Sequence, residues 1–151
     1  MSLLTPELKA EVGRSLPPVT AEVTRREIRK YAAATGQRLK RFIDGDEAPP
    51  MFLFGLFLDI LPRERMLADG RQPDDGLVPE LPLTRVMAGG SEATFHRGIY
   101  PGDVLVSTQT LVDLYEKAGS QGPLIFAVVE NRVETRDGEP VMIERVTRIA
   151  R

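Results

Sequence analysis

The chain has 151 residues, 42% of them hydrophobic, which suits a single domain with one core over residues 1–151. Its 20 basic and 22 acidic residues nearly cancel, so no overall field favours nucleic acid or an anionic membrane as a partner. The lack of cysteine excludes disulfides and thiolate chemistry, and a single histidine argues against a transition-metal site, so we expect no metal and no cofactor.

The first 14 residues are polar rather than apolar. Glu7, Lys9, Glu11 and Arg14 fall where a secretory signal would need an uninterrupted hydrophobic run. We therefore expect a protein that is not exported by such a signal and that resides in the cytoplasm.

A short strand and an amphipathic helix come next. Residues 16–23 alternate apolar and polar side chains after two prolines, which predicts an edge strand. Thr24 and Glu27 have the spacing of a capping box, and Gly36 is placed to end a helix, so the pattern predicts a helix over 25–35. Its apolar face carries Ile28, Tyr31, Ala32 and Thr35.

A charged loop and an apolar segment follow this helix. Half of residues 37–48 are charged and few are apolar, which predicts a loop that faces solvent or ligand. Pro49 and Pro50 suit the first turn of a second helix, which we expect over residues 50–61. This segment is apolar nearly all round and far shorter than the roughly 20 residues of a membrane span, so we expect other elements to wrap it.

The second half of the chain has the character of a sheet. Residues 62–82 are rich in proline, glycine and aspartate and predict a long loop. Asp137-Gly138 predicts a hairpin with a type I′ turn, and residues 119–122 predict another connection. Together with the helices, an antiparallel sheet of about five strands wrapped around the apolar helix makes an α+β fold. The predicted strands are residues 83–87, 92–97, 104–115, 124–135 and 140–149.

Four stretches recur in the same order in a known family. They are TRREIRKYA at 24–32, APPMF at 48–52, GGSE at 89–92 with HR at 96–97, and PGDVL at 101–105. In these stretches the chain resembles the N-terminal half-domain of MaoC-like dehydratases, the fatty-acid-synthase-1-like type, over about residues 10–151. The resemblance implies a hotdog fold.

The resemblance also implies an activity. Members of the group bind the acyl chain of a coenzyme A or acyl-carrier-protein thioester beside the central helix, at a dimer interface. They reversibly hydrate a trans-2-enoyl thioester to a 3-hydroxyacyl thioester, using an Asp and a His with a glycine N–H near the thioester oxygen.

The catalytic pair of the family is missing here. Active members carry it in the loop after the first helix, where this chain reads GQRLKRF at 36–42. The resemblance therefore implies a subunit that shapes the acyl tunnel while a second hotdog supplies the Asp and the His, and the catalytic residues of this chain remain unknown.

Five residues are candidates for contact with the acyl thioester. Phe52, Phe54 and Phe57 would line the acyl tunnel or simply pack the core around the apolar helix, and we expect core packing for most of them. Gly89 and Gly90 would let the thioester oxygen approach a backbone N–H, or would form a β-bulge, and the two roles can coexist.

Charged residues offer further candidates. Arg38 and Arg41 would pair with coenzyme A phosphates or form a solvated charge run. His96, the only histidine, suits a structural hydrogen bond better than catalysis. One loop carboxylate, if desolvated, could act as a general base, but a solvated loop surface is the better explanation for these residues. The carboxylates are Asp44, Asp46 and Glu47.

The sequence thus favours the acyl-binding subunit of an enoyl-CoA hydratase or 3-hydroxyacyl-thioester dehydratase. Three alternatives stay open: a non-catalytic acyl-CoA-binding homodimer, a mesaconyl-CoA-type hydratase in which Arg38 or Arg41 pairs with a substrate carboxylate, and a hotdog thioesterase. An open sheet edge predicts a homodimer, or a heterodimer with a catalytic MaoC-like subunit.

Overall fold

Five antiparallel strands form one sheet in the order β1-β3-β4-β5-β2 in the computed structural model, which describes residues 2–151. The strands are β1 Val19–Glu22, β2 Val86–Phe95, β3 Val104–Gly119, β4 Gly122–Thr135 and β5 Pro140–Ala150. The helices are α1 Pro6–Ala10, α2 Arg25–Ala34, α3 Lys40–Ile43 and α4 Leu53–Leu56, and two single 3-10 turns span Pro50–Phe52 and Arg63–Arg65. Within residues 2–151, none of these helices is long and apolar enough to cross a membrane.

The two hairpins that build the centre of the sheet lie where the sequence predicts them. Gly119 pairs with Gly122 at the end of β3–β4. In the β4–β5 hairpin only Gly138 has a positive φ, of 87°, so the predicted type I′ turn is wrong. Four residues, 136–139, separate the two strands, and a loop of that length favours an ordinary turn followed by one left-handed glycine.

The helix α2 confirms the predicted capping box. The Thr24 Oγ1 accepts from the Glu27 N–H at 3.2 Å, and the Glu27 carboxylate accepts from the Thr24 N–H at 3.3 Å. At the other end Gly36 takes a φ of 65°, and the Gln37 N–H donates to the Ala32 carbonyl at 2.9 Å. Local hydrogen bonding therefore determines both ends of this helix.

The apolar segment differs from its prediction. It is helical only from Pro50 to Leu56, as a 3-10 turn that continues into α4, and the following residues form a turn and then an irregular segment. No side chain caps this helix, Gly55 weakens it, and Pro62 disfavours helical backbone at the residue before it. Within this helix Phe52 and Leu53 are buried, whereas Met51 is 53% and Phe54 is 43% exposed, so in this chain the other elements cover one side of the helix and not most of its sides.

The strand predictions need two changes. The strands expected at 83–87 and 92–97 form one strand, β2, which is continuous through a register shift between Ala88 and Gly90. The short helices α1 and α3 were not predicted, because five and four residues are too few for a period to show.

One face of the sheet carries two buried apolar clusters. The α2-side core joins the sheet to α2, α4 and the Pro50–Phe52 turn. The loop-side core joins the other end of the sheet to α1 and to the covering loop, residues 57–85. Buried members of the α2-side core include Val23, Ile28, Phe52, Leu53, Leu105, Val133 and Met142, and those of the loop-side core include Leu4, Leu77, Leu111, Ile125, Ala127 and Ala150.

Candidate functional site

A band of polar side chains separates the two cores on the helix-facing side of the sheet. Glu144 lies two residues beyond the buried Met142, so it points to the same face of β5. Glu144 is 3% exposed, and its carboxylate accepts a hydrogen bond from the Ser91 hydroxyl. In the neighbouring strands the Ser107 hydroxyl bonds the Asn131 Oδ1 at 2.7 Å.

Strand register brings the band together. Asn131 of β4 pairs directly with Glu144 of β5, and Glu144 pairs with Ala93 of β2. Ser107 pairs with Val133, one diagonal step from Asn131. The polar band therefore crosses β3, β4, β5 and β2 at one level, and it holds a carboxylate that burial would destabilise without its hydrogen bond.

Glu144 was not among the predicted site residues, although its position in β5 carries a signal. Met142, Glu144 and Val146 follow the period of two that defines one face of β5, so a charged residue stands at a core-facing position. A check of each strand for such a residue would have singled it out.

A cavity of about 760 Å³ lies between the covering loop, the end of α4 and the sheet. Phe57 follows α4 at one wall, and Gln109 and Arg148 reach it from β3 and β5. The Arg148 Nη1 lies 3.5 Å from the Asp74 Oδ2 of the covering loop. The cavity is therefore part apolar and part charged, and its volume suits a small-molecule ligand.

Of the three candidate phenylalanines, only Phe57 lines this cavity. Phe52 is buried in the α2-side core, with its ring edge-on to Tyr31 at a centroid distance of 5.8 Å. Phe54 is 43% exposed on the outer side of α4. The aromatic ring that lines the cavity is Phe57.

The predicted glycines form the bulge in β2. A Cβ at Gly89 would lie 2.8 Å from Thr147 Cγ2 and 2.9 Å from Ile149 Cγ1, so the neighbouring strand leaves no space for a side chain. Gly90 takes a φ of 124°, which favours glycine. Ser91, which bonds Glu144, follows directly, so the bulge sets the position of a member of the polar band.

The predicted arginines lie on the surface and apart from the cavity. Arg41 pairs with Glu47 at 3.2 Å and stacks over the Phe42 ring at 4.6 Å. Arg38 is exposed in the loop before α3.

The remaining candidates are also distant from the polar band. His96 donates its backbone N–H to the Val141 carbonyl at 2.9 Å. Its side chain borders a shallow pocket with Arg132 and Arg145, which stand on the opposite face of the sheet from Glu144. The three loop carboxylates make surface ion pairs: Asp44 with Lys40, Asp46 with Arg25 and Glu47 with Arg41.

Comparison with known proteins gives a family match. The model of the FAS1-like dehydratase domain region matches residues 10–144, which contain all four stretches named above. A UPF0336 protein of Saccharopolyspora erythraea is 30% identical over 153 residues, covering 93% of this chain and 88% of the relative. A mesaconyl-C(4)-CoA hydratase of Chloroflexus aurantiacus is 28% identical over 81 residues, covering 54% of this chain and only 29% of the hydratase.

A solved structure shares the fold. In the ChsH1-ChsH2 complex from Mycobacterium tuberculosis, one chain superposes with a TM-score of 0.72 at 21% identity, covering 95% of this chain and 86% of that one. The five-stranded sheet and this match confirm the predicted α+β hotdog fold.

Proposed function

This chain belongs to the FAS1-like dehydratase family, and we propose that it is the acyl-thioester-binding subunit of an enoyl-CoA hydratase or 3-hydroxyacyl-thioester dehydratase. A partner hotdog subunit supplies the catalytic Asp and His. The observation that carries this proposal is the 760 Å³ cavity on the helix-facing side of the sheet, in a chain whose only histidine borders the opposite face.

The reaction explains why a partner is needed. Hydration adds the oxygen of water to the β-carbon of the enoyl thioester and a proton to the α-carbon, so it needs a base for the water and an acid for the proton. After α2 this chain offers Gly36 and Gln37, and neither can transfer a proton near neutral pH. The side chains around the cavity bind and orient the acyl group in this proposal.

The sheet offers a place for the partner. β2 pairs only with β5 in the sheet of residues 2–151, so its other edge is free, and all ten of its residues are exposed. A free strand edge favours pairing with another sheet. The complex of similar fold contains two different named components, ChsH1 and ChsH2, which supports a heteromeric assembly here.

The test is hydration of crotonyl-CoA, followed by loss of enoyl absorbance. The purified chain is assayed alone and after mixing with a candidate MaoC-like subunit that carries the catalytic Asp and His. We expect turnover only in the mixture, and we expect it to disappear when the Asp and the His of the partner are replaced by Asn and Gln.

Other results would point to the alternatives. Rapid turnover by the chain alone would contradict the proposed division of labour. Release of free thiol would indicate a thioesterase, and tight binding of acyl-CoA with no turnover in any mixture would indicate a homodimeric acyl-CoA-binding protein.

A second candidate function is hydration of a mesaconyl-CoA-type substrate. The observation that favours it is Arg148, a cation in the cavity whose only ion-pair partner within residues 2–151 is Asp74, with which it forms a 3.5 Å pair. A carboxylate on the acyl chain would take the place of Asp74, a role that the sequence analysis had given to Arg38 or Arg41. The partial match to the Chloroflexus hydratase agrees with this candidate.

The two functions differ in what Arg148 does. In the mixture with the partner, Arg148→Gln should lower kcat/KM for mesaconyl-CoA about tenfold or more and leave crotonyl-CoA turnover nearly unchanged. Equal effects on both substrates would exclude a specific role for Arg148 in binding a substrate carboxylate.

A further inference from the structure

A groove of about 790 Å³ lies along α2, between this helix and Ile43 of α3. Its lining contains four basic residues and no acidic one: Arg25, Arg26, Arg29 and Lys30. The chain as a whole has a slight negative charge of −2, so this concentration of positive charge is local.

Most of this charge has no counter-ion within residues 2–151. Arg25 pairs with Asp46 and donates to the Asp44 carbonyl at 3.1 Å. Arg26, Arg29 and Lys30 form no salt bridge there. On α3, by contrast, each basic side chain has an acidic partner, Asp44 for Lys40 and Glu47 for Arg41.

The position of these charges opposes the stability of the helix. α2 begins at Arg25, so all four basic residues stand in its first six positions, at the positive end of the helix dipole. The only acid in its first turn is Glu27, which is engaged in the capping box. A local arrangement that costs stability without a compensating contact is typical of a functional site.

The floor of the groove is apolar. Ala33 and Ile43 line it between the basic side chains, and Ile43 is 48% exposed. Gly36, which has no side chain, opens one end of the groove next to Gln37. An apolar floor with a basic rim suits a ligand that joins a flat ring to several phosphates.

We propose that this groove binds the nucleotide end of coenzyme A, with its phosphates on Arg26, Arg29 and Lys30 and its adenine over Ala33 and Ile43. This inference rests on the proposed function, because it names the carrier of the thioester. It assigns the phosphates to α2, whereas the sequence analysis had offered Arg38 and Arg41.

The spacing of the charges favours a nucleotide over the surface of a carrier protein. Arg26 and Lys30 are one helical turn apart, roughly 6 Å along the axis. The pyrophosphate and ribose phosphate of coenzyme A form a compact cluster of charge on that scale. A carrier protein would present acidic side chains over a wider, flatter area.

The experiment compares two double variants of the full chain by calorimetry. R26Q/K30Q removes two charges from the groove, and R63Q/R65Q removes two exposed charges from the 3-10 turn of the covering loop as a matched control. The probes are adenosine 3′,5′-bisphosphate, coenzyme A and phosphopantetheine, which lacks the nucleotide.

The expected result is specific to the nucleotide. R26Q/K30Q should weaken binding of adenosine 3′,5′-bisphosphate and of coenzyme A about 10- to 100-fold, while R63Q/R65Q should change neither by more than about twofold. Phosphopantetheine binding should be the same in all three proteins. R26Q/K30Q should also raise Tm slightly, because it removes positive charge from the first turns of α2, and loss of fold would not do so.

Four results would overturn the inference. The first three are failure of adenosine 3′,5′-bisphosphate to bind the unaltered chain, equal weakening by both double variants, and binding of an acidic acyl carrier protein that R26Q/K30Q abolishes while coenzyme A binding persists. The bisphosphate contains no acyl group, so its binding stands apart from turnover. Catalysis by the mixed subunits with an unchanged KM for crotonyl-CoA in R26Q/K30Q would leave the proposed function intact and refute this groove alone.

Discussion

The two cores on the same face of the sheet are covered in different ways. The α2-side core is covered by a helix whose two ends are determined by its own hydrogen bonds. The loop-side core is covered by the five-residue α1 and by the covering loop, which has only one 3-10 turn. The fold therefore combines a regular scaffold, the sheet with α2, with an irregular cover, the covering loop. The ligand-sized cavity lies under the covering loop.

The largest expected effect compares one buried side chain from each cover. Ile28 of α2 is 0% exposed, and Leu77 of the covering loop is 1% exposed. Truncation to alanine should cost about 3–4 kcal/mol at Ile28 but nearer to 2 kcal/mol at Leu77, because a loop collapses into a cavity more readily than a helix held at both ends. Urea unfolding of Ile28→Ala and Leu77→Ala measures both.

Binding should reverse this order. We expect Leu77→Ala to weaken crotonyl-CoA binding more than Ile28→Ala does, because Leu77 anchors the covering loop, which walls the cavity, in the loop-side core. If the two variants lose equal stability and equal affinity, the contrast between scaffold and cover is wrong.

The next effect concerns the polar band that divides the cores. Glu144→Ala should cost about 1–3 kcal/mol, because it leaves a small cavity and removes the carboxylate that accepts the hydrogen bond from Ser91. Glu144→Gln keeps the shape and an oxygen acceptor for Ser91, so it should cost less than about 1 kcal/mol. Thermal unfolding of the two variants separates shape from charge.

Activity of the same pair tests whether the buried carboxylate takes part in chemistry. In the mixture with a catalytic partner, Glu144→Gln should retain most of its turnover if the partner supplies the acid and the base. A loss of 100-fold or more in kcat with a normal fold, on the order of what removal of a general base costs, would instead place Glu144 in the reaction.

The sequence predicts a helix end well when the residues that determine it are close in the chain, and poorly when they are distant. The ends of α2 follow from Thr24, Glu27 and Gly36, which act within one or two helical turns, so the pattern located them to within one residue. The end of α4 depends on tertiary contacts of its apolar side chains, which the pattern of residue types does not encode. The predicted helix therefore extends to residue 61, five residues beyond Leu56, where α4 ends.

The same distinction between local and distant determinants applies to the candidate site. The bulge at Gly89 and Gly90 follows from local backbone needs, and it was one of the two predicted roles. The cavity and the meeting of Glu144 with Ser91 depend on strands that are 53 residues apart in the chain, and a single sequence carries no signal for that register.

A smaller loss of stability is expected when the N-terminal cap of α2 is removed. Thr24→Ala removes the acceptor for the Glu27 N–H and should cost about 1 kcal/mol, whereas Thr24→Asn should cost only a few tenths of a kcal/mol. Denaturant unfolding at a fixed pH gives both values. An alanine variant as stable as the unaltered chain would mean that tertiary packing rather than the cap determines the start of α2.

The smallest effect is a pH-dependent attachment of the N-terminal segment, which covers the loop-side core, to β3. Glu116 of β3 accepts hydrogen bonds from the Ser2 hydroxyl at 2.8 Å and from the Leu4 N–H, and Leu4 is a buried member of the loop-side core. The hydrogen bond from Ser2, followed by that from the Leu4 backbone, holds the pKa of Glu116 below its ordinary value of 4.5. A carboxyl with a lowered pKa in the folded chain stabilises the attachment fully above that ordinary value, and the contribution fades as the pH falls through the lowered pKa.

Cleavage of the N-terminal segment by an acid-stable protease should therefore accelerate at acidic pH while β3 stays protected. In Glu116→Gln the segment should be cleaved at one rate across the same range, after correction for the protease's own pH profile, and an acid-dependent release that persists in this variant would assign the effect to another carboxyl group.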